Sequence, residues 1–318
     1  MKKILSVILV LALVLTLAAC GSSGASKMTM GTGGTSGTYY AFGGVLSQYM
    51  KNYANIDVVP VSTDGSKANI ESIDSGDYQL ATVQSDVMAY AWEGTRSFEG
   101  SKIDSFRVLA GLYAESVQLI TMDESIKSVA DLKGKAVSIG APGSGVYFNA
   151  VDVLAAAGLT ESDIKAQYQS FADSTDALKD GKIDAAFIVA GAPTAAITEL
   201  CTTNSAFLVP IDGDIAAKLM ADCPFYTTYT IPAGTYAGQT EDVETVTVKA
   251  TLIVSAKASE DDVYALTKAI FDNVDAITVE NGKGAELSIE NATSGMAAPF
   301  HAGAAKYFAE KGVTVETN

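Results

Sequence analysis

One histidine, one tryptophan, two arginines and three cysteines in 318 residues leave little material for several kinds of chemistry. A Ser-His-Asp arrangement would have to rest on His301, and no G-x-S-x-G elbow exists to present its serine. His301 follows Phe300, a setting that suits a packed, hydrogen-bonded histidine. No C-x-x-C pair or Cys/His cluster occurs, so no framework for a zinc ion is visible. The chain has no G-x-x-x-x-G-K-[ST] loop to hold a nucleotide phosphate. Arg96 and Arg107 are the only guanidinium groups available for bidentate capture of a carboxylate. Arg107 opens an apolar strand, and Arg96 sits among Glu93, Thr95, Ser97 and Glu99 in what reads as an acidic surface loop. A net charge of −16 disfavours nucleic acid and anionic lipid headgroups. The pattern calls for no cofactor, no metal and no catalytic residue, and so for a binder rather than an enzyme.

Long apolar runs are scarce as well. The one that stands out is Ile4 to Leu17, behind Lys2 and Lys3, and it is short for a membrane span. It closes on Leu17-Ala-Ala-Cys20, which resembles the bacterial lipobox. That resemblance implies a lipoprotein signal peptide over residues 1–19 and a diacylated Cys20 as the mature N-terminus. The protein would then be extracytoplasmic and lipid-anchored to the cell membrane. Residues 20–27 read as a lipidated tether. Cys201 and Cys223 are left to form either a disulfide or two buried thiols.

Glycine, by contrast, is plentiful. Gly31-Thr-Gly-Gly-Thr-Ser-Gly-Thr-Tyr-Tyr40 lies between a strand start at Met28 and Met30 and an amphipathic run. That run puts Phe42, Val45, Leu46, Tyr49 and Met50 on one helical face. A glycine turn feeding a helix N-terminus offers free N–H groups and the positive end of the helix dipole to an anion. It also suits a tight turn that binds nothing. The spacing is G-x-G-G-x-x-G, not the dinucleotide fingerprint.

Strand and helix then alternate, which predicts βαβ units and a largely parallel sheet. Tyr78 to Val83 reads as a strand stopping at Gln84-Ser-Asp86. Phe106–Leu112 and Val117–Met122 read as two strands separated by Tyr113-Ala-Glu-Ser116. The spacing of Ser128 and Asp131 predicts a capping box. A second glycine turn, Gly140-Ala-Pro-Gly-Ser-Gly145, feeds a helix over 146–157, and the alternation restarts beyond it. Val243 to Val254 reads as one long strand. A helix capped by Ser259 follows, with Val263, Leu266, Ile270, Val274 and Ile277 on one face.

Taken in order, Gly31-Thr-Gly-Gly34 with Gly37, Tyr39-Tyr40 and Gln84-Ser-Asp86 resemble the TAXI family of TRAP-associated solute receptors. So do Leu109 to Glu115, Ile126 to Lys135, Ser138 to Gly145, Ala177 to Phe187 and Ile231 to Tyr236. The resemblance implies an α/β, two-lobed periplasmic-binding-protein fold of the class II type with two hinge crossovers. One lobe would comprise 28–122 and 246–318, the other 123–245. It implies a monomer that captures a small carboxylate, glutamate or a related amino or dicarboxylic acid, between the lobes. The ligand would pass to a TRAP membrane permease with fused small and large subunits. An ABC-importer lipoprotein or an extracytoplasmic sensor is the alternative.

Ligands of open α/β sheets sit beyond the carboxyl ends of strands. On that basis the expected ligand-binding residues are Gly33, Gly34, Thr35, Gly37, Thr38 and Tyr39 from the first turn. Gln84 and Ser85 follow, unless they only cap a helix. Gly143, Ser144, Gly145, Asn149 and Gly191 are expected from the opposing lobe. Glu115 either accepts from a ligand ammonium or is a solvated loop acid. The metal set is empty.

Overall fold

A computed structural model describes residues 26–317. The leader and Cys20 lie outside the described residues. The first strand, β1 (Ser26–Gly31), already takes in Ser26 and Lys27 from the expected tether. It feeds α1 (Thr38–Tyr49), which buries Phe42, Leu46 and Tyr49 as the 3.6-residue period predicts. Then come β2 (Ile56–Val61), α2 (Ser66–Ser75), β3 (Leu80–Gln84) and α3 (Ser85–Glu93).

Next is β4 (Phe106–Thr121), a single 16-residue strand where two were expected. Polar Glu115 and Ser116 read locally as a break. They stay in the strand because their backbones pair with Val248 and Thr247 of β10 (Val243–Ser255). Pairing here overrides local polarity.

Between β4 and β10 lie β5 (Ala136–Ser138), α4 (Val146–Ala156), β6 (Lys165–Gln167), α5 (Phe171–Lys179) and β7 (Ala185–Ala190). They are followed by α6 (Ala195–Thr203), β8 (Phe207–Val209), α7 (Gly213–Asp222) and β9 (Thr227–Ile231). Ser128 and Asp131 do form a capping box ahead of β5. After β10, the expected single helix is two, α8 (Glu260–Phe271) and α9 (Val274–Glu280). Short α10 (Ile289–Thr293) and α11 (Ala302–Glu310) complete the described chain.

The strands form one sheet in the order β2-β1-β3-β10-β4-β7-β5-β6, with β8 beside β4 and β9 beside β10. Its flanks are parallel, as alternation predicts, but β4 and β10 run antiparallel to their neighbours through the centre. β4 pairs with β10 along its first part and with β7 from Ser116 onward, so it carries the chain from one flank to the other; β10 brings it back. The core follows the same division. One apolar cluster joins Phe42, Leu46, Leu80, Val108, Leu252, Leu266 and Phe308. Another joins Leu119, Val137, Leu154, Phe187 and Leu219.

Cys201 and Cys223 are free, buried thiols. His301 Nδ1 accepts from the Gly303 amide at the start of α11, so Nε2 carries the hydrogen and donates to the Ala258 carbonyl, 3.1 Å away. It is a helix cap. Among the described residues, no helix is long and apolar enough to cross a membrane.

Candidate functional site

Six strand ends converge on one cavity. Gly33, Gly34 and Gly37–Tyr39 follow β1, Thr63–Ser66 follow β2, and Gln84 ends β3. From the other flank come Ala141 and Ser144–Val146 after β5, Gln169–Phe171 after β6, and Val189–Ala190 at the end of β7. The cavity measures about 80 Å³, room for roughly two or three waters.

Three helices begin at its wall on glycine. Gly37, Gly65 and Gly145 are the N-caps of α1, α2 and α4, and none has a side-chain cap. Amides of a helix's first turn have no partner within the helix; those of Lys67 and Ala68 in α2 are taken by the Gly143 carbonyl and that of Tyr147 in α4 by the Ser144 hydroxyl, which leaves the start of α1 as the end whose donors face the cavity. α5 also starts here, but Ser170 caps it by accepting from the Asp173 amide. No lysine or arginine lines the cavity.

Acceptors lie among these ends, Gln84 directly against Gly145. Glu115 is buried and takes a hydrogen bond of 2.8 Å from the Tyr39 hydroxyl. Gln84 Oε1 and Gln169 Oε1 are buried without a protein partner. The two flanks touch around this space. Lys67 and Ala68 amides of α2 donate to the Gly143 carbonyl at 3.1 and 3.2 Å, and the Thr38 hydroxyl donates to the Gly191 carbonyl at 2.8 Å.

A model of the NMT1-like family matches residues 30–312. The chain belongs to the NMT1-like family. This overturns the TAXI resemblance, whose segments from Gly31–Gly37 to Ile231–Tyr236 are each short, and of which Leu132-Lys-Gly-Lys135 recurs across many binding proteins. Two solved structures share the architecture. The alkanesulfonate-binding protein SsuA from Xanthomonas axonopodis pv. citri, bound to MOPS, is 17% identical with a TM-score of 0.53, over 90% of this chain and 91% of that one. A putative L-cystine ABC transporter protein from Listeria monocytogenes is 15% identical with a TM-score of 0.51, over 84% and 99%. The fold is the mixed α/β periplasmic-binding-protein type.

In this NMT1-like protein, Gly33, Gly34, Gly37, Thr38, Tyr39, Gln84, Ser144 and Gly145 line the cavity. Five other expected residues do not. Thr35 is exposed on the turn. Ser85 turns toward β10, its hydroxyl accepting from the Lys249 amide. Gly143 serves α2 through its carbonyl. Asn149 lies behind Gln84, bonded to it at 2.8 Å. Gly191 is packed so closely that a Cβ there would meet Lys283, Tyr113 and Thr38.

Sequence reasoning missed Thr63–Ser66, although Gly65 before a helix is the same signal as Gly37 and Gly145. Phe171 and Gln169 give no local sign. Arg96 is exposed in its acidic loop as expected, but its guanidinium also stacks over Tyr90 and pairs with Asp152 of α4, tying the two flanks together.

Burial pushes the Glu115 carboxyl up to about 8, against the bond from Tyr39, which lowers it. Burial likewise pushes Asp86, behind Gln84, up to about 7. Between the ordinary carboxylate range and these values the folded protein holds more protons than the unfolded chain, so stability falls as pH rises. Unliganded protein should therefore melt higher at pH 5 than at pH 8, by roughly 5 °C or more for a chain this size. Glu115→Gln should flatten that difference and raise the melting temperature at pH 8. Equal melting of wild type and variant at pH 8 would refute the assignment.

Proposed function

We propose that this protein is the solute-binding component of an ABC-type importer and that its cavity takes a small zwitterion, glutamate or a related amino acid. The observation that carries this is the lining of the cavity: the first-turn amides of α1, opened by Gly37, together with buried Glu115 and the unpartnered carboxamide oxygens of Gln84 and Gln169. A carboxylate is met by backbone amides and helix dipoles, the role left vacant where no guanidinium lines the wall. An ammonium is met by Glu115. The importer class leans on the alkanesulfonate-binding and L-cystine ABC proteins that share the fold.

In this reading the protein works without chemistry, by closing two lobes over its ligand and presenting it to a permease. In place of boundaries at 122 and 246, we set those of the two lobes at Ser116 in β4 and between Val248 and Ala250 in β10, where strand pairing and most of the apolar clusters change flank. The Leu17–Cys20 motif would keep the protein outside the cell on a lipid anchor.

The test is a thermal-shift and calorimetric screen of the leaderless protein against L-glutamate, L-glutamine, L-cystine, 2-oxoglutarate, succinate and an alkanesulfonate. At a hundred times its dissociation constant the right amino acid should stabilise by about 2.7 kcal/mol, or roughly 5–10 °C. Silence across these compounds with a shift from a sugar or polyamine would sink the ligand class.

A further inference from the structure

Behind the cavity wall a run of hydrogen bonds converges on Asp152, and that acceptor fixes its polarity. The Arg96 guanidinium donates to Asp152 Oδ1. Asp152 Oδ2 accepts from the Tyr226 hydroxyl at 3.2 Å. With its hydrogen so committed, the Tyr226 oxygen accepts from Asn149 Nδ2 at 2.6 Å. Asn149 Nδ2 gives its other hydrogen to Asp86 Oδ2 at 3.0 Å. Both acceptors therefore lie on the amide side of Asn149, which leaves Oδ1 to take Gln84 Nε2 at 2.8 Å. Gln84 is then obliged to turn its carbonyl the other way, where Oε1 is buried, lacks a protein partner and belongs to the cavity lining. Gly145 makes room for this pose, since a Cβ there would fall on the Gln84 carboxamide.

The geometry points to Asn149 as a positioning residue that holds Gln84 as an obligate acceptor, so that the site demands a hydrogen-bond donor from its ligand at that point. This rests on the solute-binding reading and sharpens it: a buried acceptor left unmet is costly, so ligands are chosen by the donor they bring. Asn149 sits in α4 and Gln84 ends β3, so the selecting group on one flank is set by a residue of the other.

Two measurements test this, one without ligand. In the unliganded protein the side-chain NH2 signal of Gln84, identified by its loss in Gln84→Glu, should exchange slowly with water, and fast in Asn149→Leu. Rapid exchange in wild type would place the NH2 in the cavity and overturn the proposal whatever the ligand. The second compares L-glutamate with glutarate, which lacks the amine. Wild type should prefer glutamate at least tenfold, as expected for a bond to a charged donor. Asn149→Leu should lose the part of that preference that Glu115 does not supply, because the carboxamide is free to turn. Gln84→Glu in the Asn149→Leu background should restore it, since a carboxylate presents an acceptor in either orientation. Preference unchanged in Asn149→Leu, or not restored by the second substitution, would overturn the positioning role. If Asn149→Leu does not fold, Tyr226→Phe removes one fixed acceptor without opening a cavity, and a retained full preference there counts against the proposal. A protected Gln84 amide in a protein that binds neither probe would uphold the orientation and overturn the amino-acid reading instead.

Discussion

Affinity for an amino acid should rise about tenfold per pH unit from roughly pH 6 to pH 8 and then level off. Burial holds Glu115 protonated up to about 8 in the free protein. An incoming ammonium requires the carboxylate, so below that pH each binding event must release one proton. Proton release lowers affinity in acid and leaves it untouched above the free-protein value. Calorimetry in buffers of different ionisation enthalpy reads the proton directly, and close to one should be released near pH 6.5. Glu115→Gln should abolish the slope and weaken binding by about ten- to a hundredfold, the worth of a bond to a charged group. Asp86 titrates nearby, at about 7, but does not line the cavity. Asp86→Asn should therefore keep the slope. A flat profile in wild type would show that no cation meets Glu115.

Gly34→Val should fold normally and lose at least a hundredfold in affinity. A Cβ on Gly34 meets nothing within 4 Å, and the residue lines the cavity, so the valine side chain takes ligand space and strains nothing. Its melting temperature should stay within about 2 °C of wild type, as for a substitution that breaks no packing. Gly145→Val is a different experiment. There the new side chain strikes the Gln84 carboxamide, so the contact between flanks suffers along with binding. The variant should melt lower and, by small-angle scattering with ligand, fail to compact. Wild-type affinity in a folded Gly34→Val protein would reduce the first glycine turn to a plain strand-to-helix connection.

The two glycines look alike on paper because the signal that marks them is local. A glycine ahead of an amphipathic run announces a helix N-terminus, and the same signal found α1 and α4 with their buried faces. Glu115 shows where local reading stops. In sequence it is an acid between two apolar runs and suggests a turn. In the fold its backbone is paired to β10 and its carboxylate meets Tyr39, 76 positions away along the chain. Arg96 lies on the surface as its neighbours suggest, but its partner could not be read locally, since Asp152 is 56 positions on.

Composition and periodicity by themselves determined an α/β chain with glycine-opened helices, since those properties follow from residue type and short-range spacing. Tertiary structure alone decided that three glycine-opened helix ends share one small cavity, that β4 is unbroken, and that Gln84 presents an oxygen rather than an amide to it. A carboxamide looks the same from either side in the sequence; only the run of donors that ends on Asp152, drawn from both flanks, gives it a direction.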